Sequence, residues 1–280
     1  GGKNWRLRDK VTPFLKDKRV RQAMQYAIDR DAINEAVLEG TSQPNQTVVV
    51  GAGAGAGTVT TTPAGSGCIT LPSGECVQPQ KQCKEGERAD VVVDAKGKVV
   101  AIVCYPGAAS PTPIDSQGNV ELGKNNNGVV SIDGADDGVD VAGNVSSSGN
   151  NVTIYGQGAG VSVIGGKVDA EGNNFAMRGV RVKSNVTING NNAALVLCVI
   201  EGDLIIKGNN TVVADCSVLG KIQVDGVNTT LVANEVGGGI SLMDAKNTTC
   251  DGNVVWTDSN ANKVLDPGES GAAISCTDKK

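Results

Sequence analysis

Histidine is absent from all 280 residues, and aromatic residues make up only 2% of them. The first absence removes imidazole as a general base, as the partner of a nucleophile and as a metal ligand. The second argues against a sugar-binding cleft, because sugar rings commonly stack on Trp and Tyr. No Cys-x-x-Cys pair occurs, so the thiols do not read as a zinc site. No stretch approaches a run of apolar residues long enough for a transmembrane helix. A basic stripe is also missing. Residues 1–40 carry nine Lys/Arg against six Asp/Glu, and the remainder carries 16 against 24, a balance of −8. An acidic, aromatic-poor body argues against nucleic acid as a partner. The chain opens with Gly1-Gly2 rather than Met, which suits a processed or trimmed product whose export signal is already gone.

What is present is a period. Val168, Val186, Leu204, Ile222 and Ile240 lie 18 residues apart, and Ala170, Ile188, Ile206, Val224 and Leu242 follow two places later. Gly172, Gly190, Gly208 and Gly226 form a third row, with Asp244 at its end. Asn174, Asn192, Asn210 and Asn228 form a fourth, and Val182, Ile200, Val218, Val236 and Val254 a fifth. A fixed period combined with local apolar alternation is the signature of a repeat architecture. Eighteen residues are too few for a pair of helices and suit one coil of a parallel β-solenoid. Glycine, at 38 residues, serves the corners, and stacked Val, Ile, Leu and Ala fill the interior. The expected class is mainly β: a right-handed parallel β-helix over 114–257, with about six or seven coils. The Asn row reads as a corner ladder, since Asn tolerates left-handed backbone and its amide can bond along the stack. In this coil pattern the chain resembles the pectate-lyase-like superfamily of right-handed parallel β-helices.

Residues 1–47 read as a helical segment, with apolar positions Val20, Met24, Ala27 and Ile28 and then Ala32, Ile33, Ala36 and Val37. The string Arg19-Val20-Arg21-Gln22-Ala23-Met24-Gln25-Tyr26-Ala27-Ile28-Asp29-Arg30-Asp31-Ala32-Ile33 resembles the family-5 extracellular solute-binding proteins, the peptide-binding components of importers. The likeness runs from about residue 13 to 40, a fragment of a fold that needs several hundred residues, so it implies no ligand-binding function here. Residues 48–67 read as a Gly/Ala/Thr linker or strand, with Thr58–Thr62 able to extend. Residues 68–113 read as a Cys-bearing β-hairpin module, with strands Ala89–Asp94 and Val99–Val103 around a Lys96-Gly97 turn. The eight cysteines suit disulfides and an oxidising compartment. Pairing is expected among Cys68, Cys76, Cys83 and Cys104, and between Cys250 and Cys276. Cys198 and Cys216 stack on adjacent coils at roughly 4.8 Å, which permits either a bridge or two buried thiols.

Two constellations bear on chemistry. Asp133, Asp136, Asp137 and Asp140 form the densest acidic cluster. In an enzyme, Asp136 and Asp137 with Arg178 and Arg181 would line a groove and act on a polysaccharide. The Gly-His-Gly element of polygalacturonase-like hydrolases is missing, and pectate-lyase-like enzymes use an Arg or Lys base beside calcium, for which Arg178, Arg181 and Lys183 are the nearby candidates. The other constellation is residues 258–280, a calcium loop and C-terminal tail. Asp258, Asn260, Asn262, Asp266 and Glu269 place oxygen ligands at positions 1, 3, 5, 9 and 12 of a twelve-residue loop, with the Val264 carbonyl at 7. This loop resembles the calcium loops of dockerins and bacterial surface proteins. Lys263 replaces the usual Gly at position 6.

The expected function is a non-enzymatic, secreted or cell-surface structural or adhesive β-solenoid, stabilised by Ca²⁺ and disulfides. Self-association, filament formation and a surface polysaccharide are the partners this reading allows; nucleic acid and a transmembrane segment are not expected. The alternatives are a polysaccharide lyase or hydrolase on the same scaffold, and a composite chain carrying a solute-binding-protein fragment.

Overall fold

A computed structural model describes residues 46–48, 58–63, 69–70, 76–77, 83, 87–94, 98–106, 112–114, 116–122, 129–132, 140–156, 162–262 and 269–276. Among them there is no helix, and the architecture is mainly β: a parallel β-solenoid of stacked coils. The helical segment expected over residues 1–47 lies outside the described residues, except that Gln46–Val48 forms a strand.

The coils contribute strands to three faces, the third beginning with isolated bridges at Ser116 and Val141. The first face carries Val120–Leu122, Val145–Ser147, Val168–Ala170, Val186–Ile188, Leu204–Ile206, Ile222–Val224 and Ile240–Leu242. The second runs from Thr112–Pro113 through Ala176–Arg178 to Thr249–Asp251, and the third from Val163–Ile164 to Val254–Trp256. Alternation decides which side chains face in. In Val186-Thr187-Ile188 the outer two are buried and Thr187 is not, and Val168-Asp169-Ala170 repeats the pattern. Pairing confirms the period: Val168 lies on Val186, Val186 on Leu204, Leu204 on Ile222 and Ile222 on Ile240. Earlier coils are longer, with Val120 on Val145 and Val145 on Val168. The longer coils keep their strands in register with the shorter ones.

Stacking like on like builds ladders. Asn174, Asn192, Asn210 and Asn228 all adopt left-handed backbone, φ 55–60°, as do Asn151 and Asn247. From Asn174 onward each Nδ2 donates to the Oδ1 one coil earlier, at 2.7 Å for Asn174 to Asn151 and 3.0 Å for Asn210 to Asn192. A second ladder runs beside it. Asn150, Asn173, Asn191 and Asn209 each accept the backbone amide one coil later, ending at the Val227 amide, 2.8 Å from Asn209 Oδ1. The glycine row is required by close approach: a Cβ on Gly208 would lie 1.8 Å from the Gly190 carbonyl oxygen.

Residues 46–106 supply a four-stranded antiparallel sheet, ordered Gln46–Val48, Thr58–Pro63, Glu87–Val93, Val99–Pro106. The expected hairpin is its second half, closed by the Asp94 amide on the Lys98 carbonyl at 2.9 Å and the Lys98 amide on Asp94 Oδ1 at 2.9 Å. Strands on both sides of residue 68 therefore join one sheet. Cys83–Cys104 ties it, and Cys250–Cys276 ties the other end of the chain; both agree with the expected pairings. The C-terminal strand Ser270–Ala273 returns antiparallel onto Val254–Trp256.

Two substitutions check this packing. Gly208→Ala forces a methyl group against the neighbouring backbone and is expected to cost about 1–3 kcal/mol or more, read from the urea midpoint. Thr229 is fully buried and its hydroxyl has no hydrogen-bond partner among the described residues. Thr229→Val is therefore expected to raise stability by roughly 1 kcal/mol, and a loss of similar size would show that the hydroxyl is satisfied.

Candidate functional site

Of the four residues that an enzyme groove would gather, Asp136 and Asp137 lie outside the described residues. The two arginines flank the corner between the second and third faces, where Gly179 takes φ +64°. Arg178 ends a strand of the second face with its side chain outward. Its Nε lies 2.7 Å from Oδ2 of Asp90, a fully buried residue on the antiparallel strand Glu87–Val93. On the coils that follow, the same outward row holds Val196, Ala214 and Val232, which are buried against Val92 with Val100, Ala101 and Val103 beside them. Arg178 and this apolar row together form the seat of the antiparallel sheet. Arg181 belongs to the third face and meets Glu201 on the next coil, 2.7 Å from its terminal nitrogen and 2.8 Å from Nε. The corner sends the two guanidinium groups to different faces, and each has an acidic partner.

The loop that opens at Asp258 follows directly on the last solenoid strand, Val254–Trp256. Among the described ligand positions, the Asn262 amide donates to both Asp258 Oδ1 and Asn260 Oδ1, each at 3.1 Å. One donor shared by two acceptors folds positions 1, 3 and 5 into a single turn. Glu269, at position 12, is buried. Its Oε2 accepts the Trp256 indole N–H at 3.3 Å, and its Oε1 accepts the Ser259 amide and hydroxyl, both at 3.0 Å. Val264 and Asp266 lie outside the described residues. Among the described residues no three Cys, Asp or Glu side chains gather as a metal cluster.

An interior column at the corner between the second and third faces runs Val180, Cys198, Cys216, Asn234, Asn253. Asn234 Oδ1 accepts the Cys216 amide at 3.0 Å, and its Nδ2 donates to the Val213 carbonyl at 3.0 Å. Asn253 repeats this on the Asn234 amide at 3.0 Å and the Leu231 carbonyl at 2.9 Å. The thiols fill the equivalent places. Cys198 donates to the Met177 and Val196 carbonyls, and Cys216 to those of Leu195 and Ala214. Both are free and buried, which decides between the two states open to them. Burial, with Cys198 alongside, pushes the Cys216 thiol well above its ordinary range. The 18-residue spacing put both cysteines in one row. That asparagine continues the row two coils later was the available signal for a shared hydrogen-bonding role.

Residues 3–66 match the family model of the bacterial extracellular solute-binding proteins, family 5 middle region. The match covers less than a quarter of the chain. It includes the strands Gln46–Val48 and Thr58–Pro63, the latter paired along Arg88–Val93. No curated protein and no solved structure matches the chain.

Removing one partner of the Arg178–Asp90 pair should be costly. Arg178→Ala removes a guanidinium from a fully buried carboxylate, and a loss of about 3–5 kcal/mol is expected by urea denaturation. Adding Asp90→Leu to Arg178→Leu should recover most of the loss, because an apolar pair needs no counter-charge.

Proposed function

We propose that this chain is a non-enzymatic extracellular or cell-surface scaffold: a structural or adhesive β-solenoid, self-associating and steadied at its C-terminal end by calcium and disulfides. The observation that carries the reading is the commitment of Arg178 to Asp90. A cation that could act on an acidic sugar is instead engaged in holding two parts of the fold together. Further support comes from Arg181, paired with Glu201, and from side chains given over to ladders along the stack. Extracellular placement draws support from the two disulfides among the described residues, a bond that persists in oxidising surroundings. The family matched by residues 3–66 is itself extracellular by description. The pectate-lyase-like superfamily remains the scaffold type that the coil pattern best resembles.

Calcium belongs in this reading because the donors from Asp258 to Glu269 are all oxygen, the hard ligands this ion prefers. Asp258, Asn260, Asn262, Asp266 and Glu269 would hold it by side chains and Val264 by its carbonyl. The ion would supply positive charge beside a buried carboxylate. Glu269 already receives Trp256 and Ser259, so a cation would share it with those donors. Asparagine at positions 3 and 5 lowers the ligand charge.

Thermal unfolding with calcium against chelator tests the ion. A rise in Tm is expected, equivalent to about 2.7 kcal/mol when free calcium is one hundred times Kd, and Asp258→Ala should abolish it. An unchanged Tm in the parent chain would remove calcium from the reading. Incubation with an acidic polysaccharide such as polygalacturonate tests the rest. No cleavage is expected; turnover that disappears in Arg181→Ala would establish the enzyme instead.

A further inference from the structure

The C-terminal end of the third face is closed differently from the rest. Strands of that face pair in parallel from Val163–Ile164 to Val254–Trp256. The last neighbour, Ser270–Ala273, is antiparallel, and its register places Val254 opposite Ala273 and Trp256 opposite Ser270, with an irregularity between. Its residues are Ser, Gly, Ala and Ala, and Gly271, Ala272 and Ala273 are exposed. So small a strand buries little apolar surface, and hydrophobic stabilisation scales with the area removed from water. What holds it is a short set of contacts: the Thr257 amide on the Glu269 carbonyl at 3.1 Å, the Ile274 amide on the Asn253 carbonyl at 2.7 Å, the Glu269 side chain, Cys250–Cys276, and Ile274 and Cys276 partly buried against the solenoid core. Elements held this way open at low cost relative to the core.

We propose that this cap exchanges between two copies of the chain. Residues 269–276 of each copy close the third face of the other, and Cys276 of each bonds Cys250 of the partner subunit. The occupant is a second copy because the strand, the anchoring carboxylate and the cysteine that fit this edge are already seen on it. The same contacts re-form in trans, which makes exchange of an identical element a low-cost route to a dimer. The closed monomer wins at low concentration, because its own cap sits at an effective concentration on the order of millimolar. Closer to that concentration the exchanged form competes, and its disulfides then trap it.

The chemistry is redox-neutral. A thiolate of added glutathione attacks Cys250–Cys276, forms a mixed disulfide with one sulfur and releases the other as thiolate. After the strand moves, the thiolate of one copy displaces glutathione from the other. Two intramolecular disulfides become two intermolecular ones, and the glutathione thiol is regenerated.

This inference deepens the self-associating scaffold reading and rests on it. Full-length chain in normal and nitrogen-15 forms is mixed equally, held near millimolar concentration with a trace of reduced glutathione, and quenched by alkylation. A non-reducing gel should show a dimer that disappears on reduction. Its linked Cys250–Cys276 peptides should include pairs of mixed isotope. Glu269→Gln, which keeps both cysteines but loosens the anchor, should exchange several-fold faster. Peptides of a single isotope throughout, a dimer joined through other cysteines, or no acceleration in Glu269→Gln would overturn the exchange. Single-isotope links without polysaccharide cleavage sink the exchange and leave the scaffold; cleavage sinks the scaffold whatever the gel shows.

Discussion

One main-chain event, repeated from coil to coil, supports the rest of the structure. The amide of Asn189 bonds the carbonyl of Ala170, Lys207 that of Ile188, Asp225 that of Ile206 and Met243 that of Val224, each at 2.8 Å. Because these bonds hold the coils at strand spacing, a side chain has only its equivalents directly above and below it. Amides then meet amides, aliphatic groups meet aliphatic groups, and one corner is so close that only a hydrogen atom fits. The ladders follow from the register. They reward it with side-chain hydrogen bonds but do not create it.

The antiparallel sheet breaks this one-dimensional logic. It lies across several coils, on a row that begins with Arg178 and continues as Val196, Ala214 and Val232. Its own chain comes partly from the segment that matches the solute-binding family, since Thr58–Pro63 pairs along Arg88–Val93. Thr58–Pro63 is therefore tied to Glu87–Val93 by main-chain pairing within one sheet, and that sheet meets the solenoid through the Arg178–Asp90 ion pair and apolar contact.

Inward rows such as Val168, Val186 and Leu204 were legible because two periods coincide there, the alternation of a strand and the recurrence of a coil. The Asn174 row was legible for a different reason: its residue type suits the backbone conformation that the corner demands. Other features carry no such mark. Val196, Ala214 and Val232 are apolar like the core, and nothing local says that they face outward under another sheet. Arg178 and Asp90 are 88 residues apart, so their pairing exists only after folding. Leu197 and Ala233 hold left-handed backbone at φ 57° and 55°, which neither residue type signals; they occupy the corner that Gly179, Asp215 and Gly252 also turn with positive φ. The thiols of Cys198 and Cys216, open in the chain to a bridge or to two buried thiols, donate to main-chain carbonyls in the fold and share a corner column with Asn234.

A solenoid whose coils touch only their neighbours responds to pulling as a zipper does, with coils peeling one after another from an end. The sheet laid across Val196, Ala214 and Val232 acts as a splint over three such coils. A load along the stack must shear that splint and its buried ion pair before the coils beneath can part singly. Tension is therefore resisted as a block where the sheet crosses those coils.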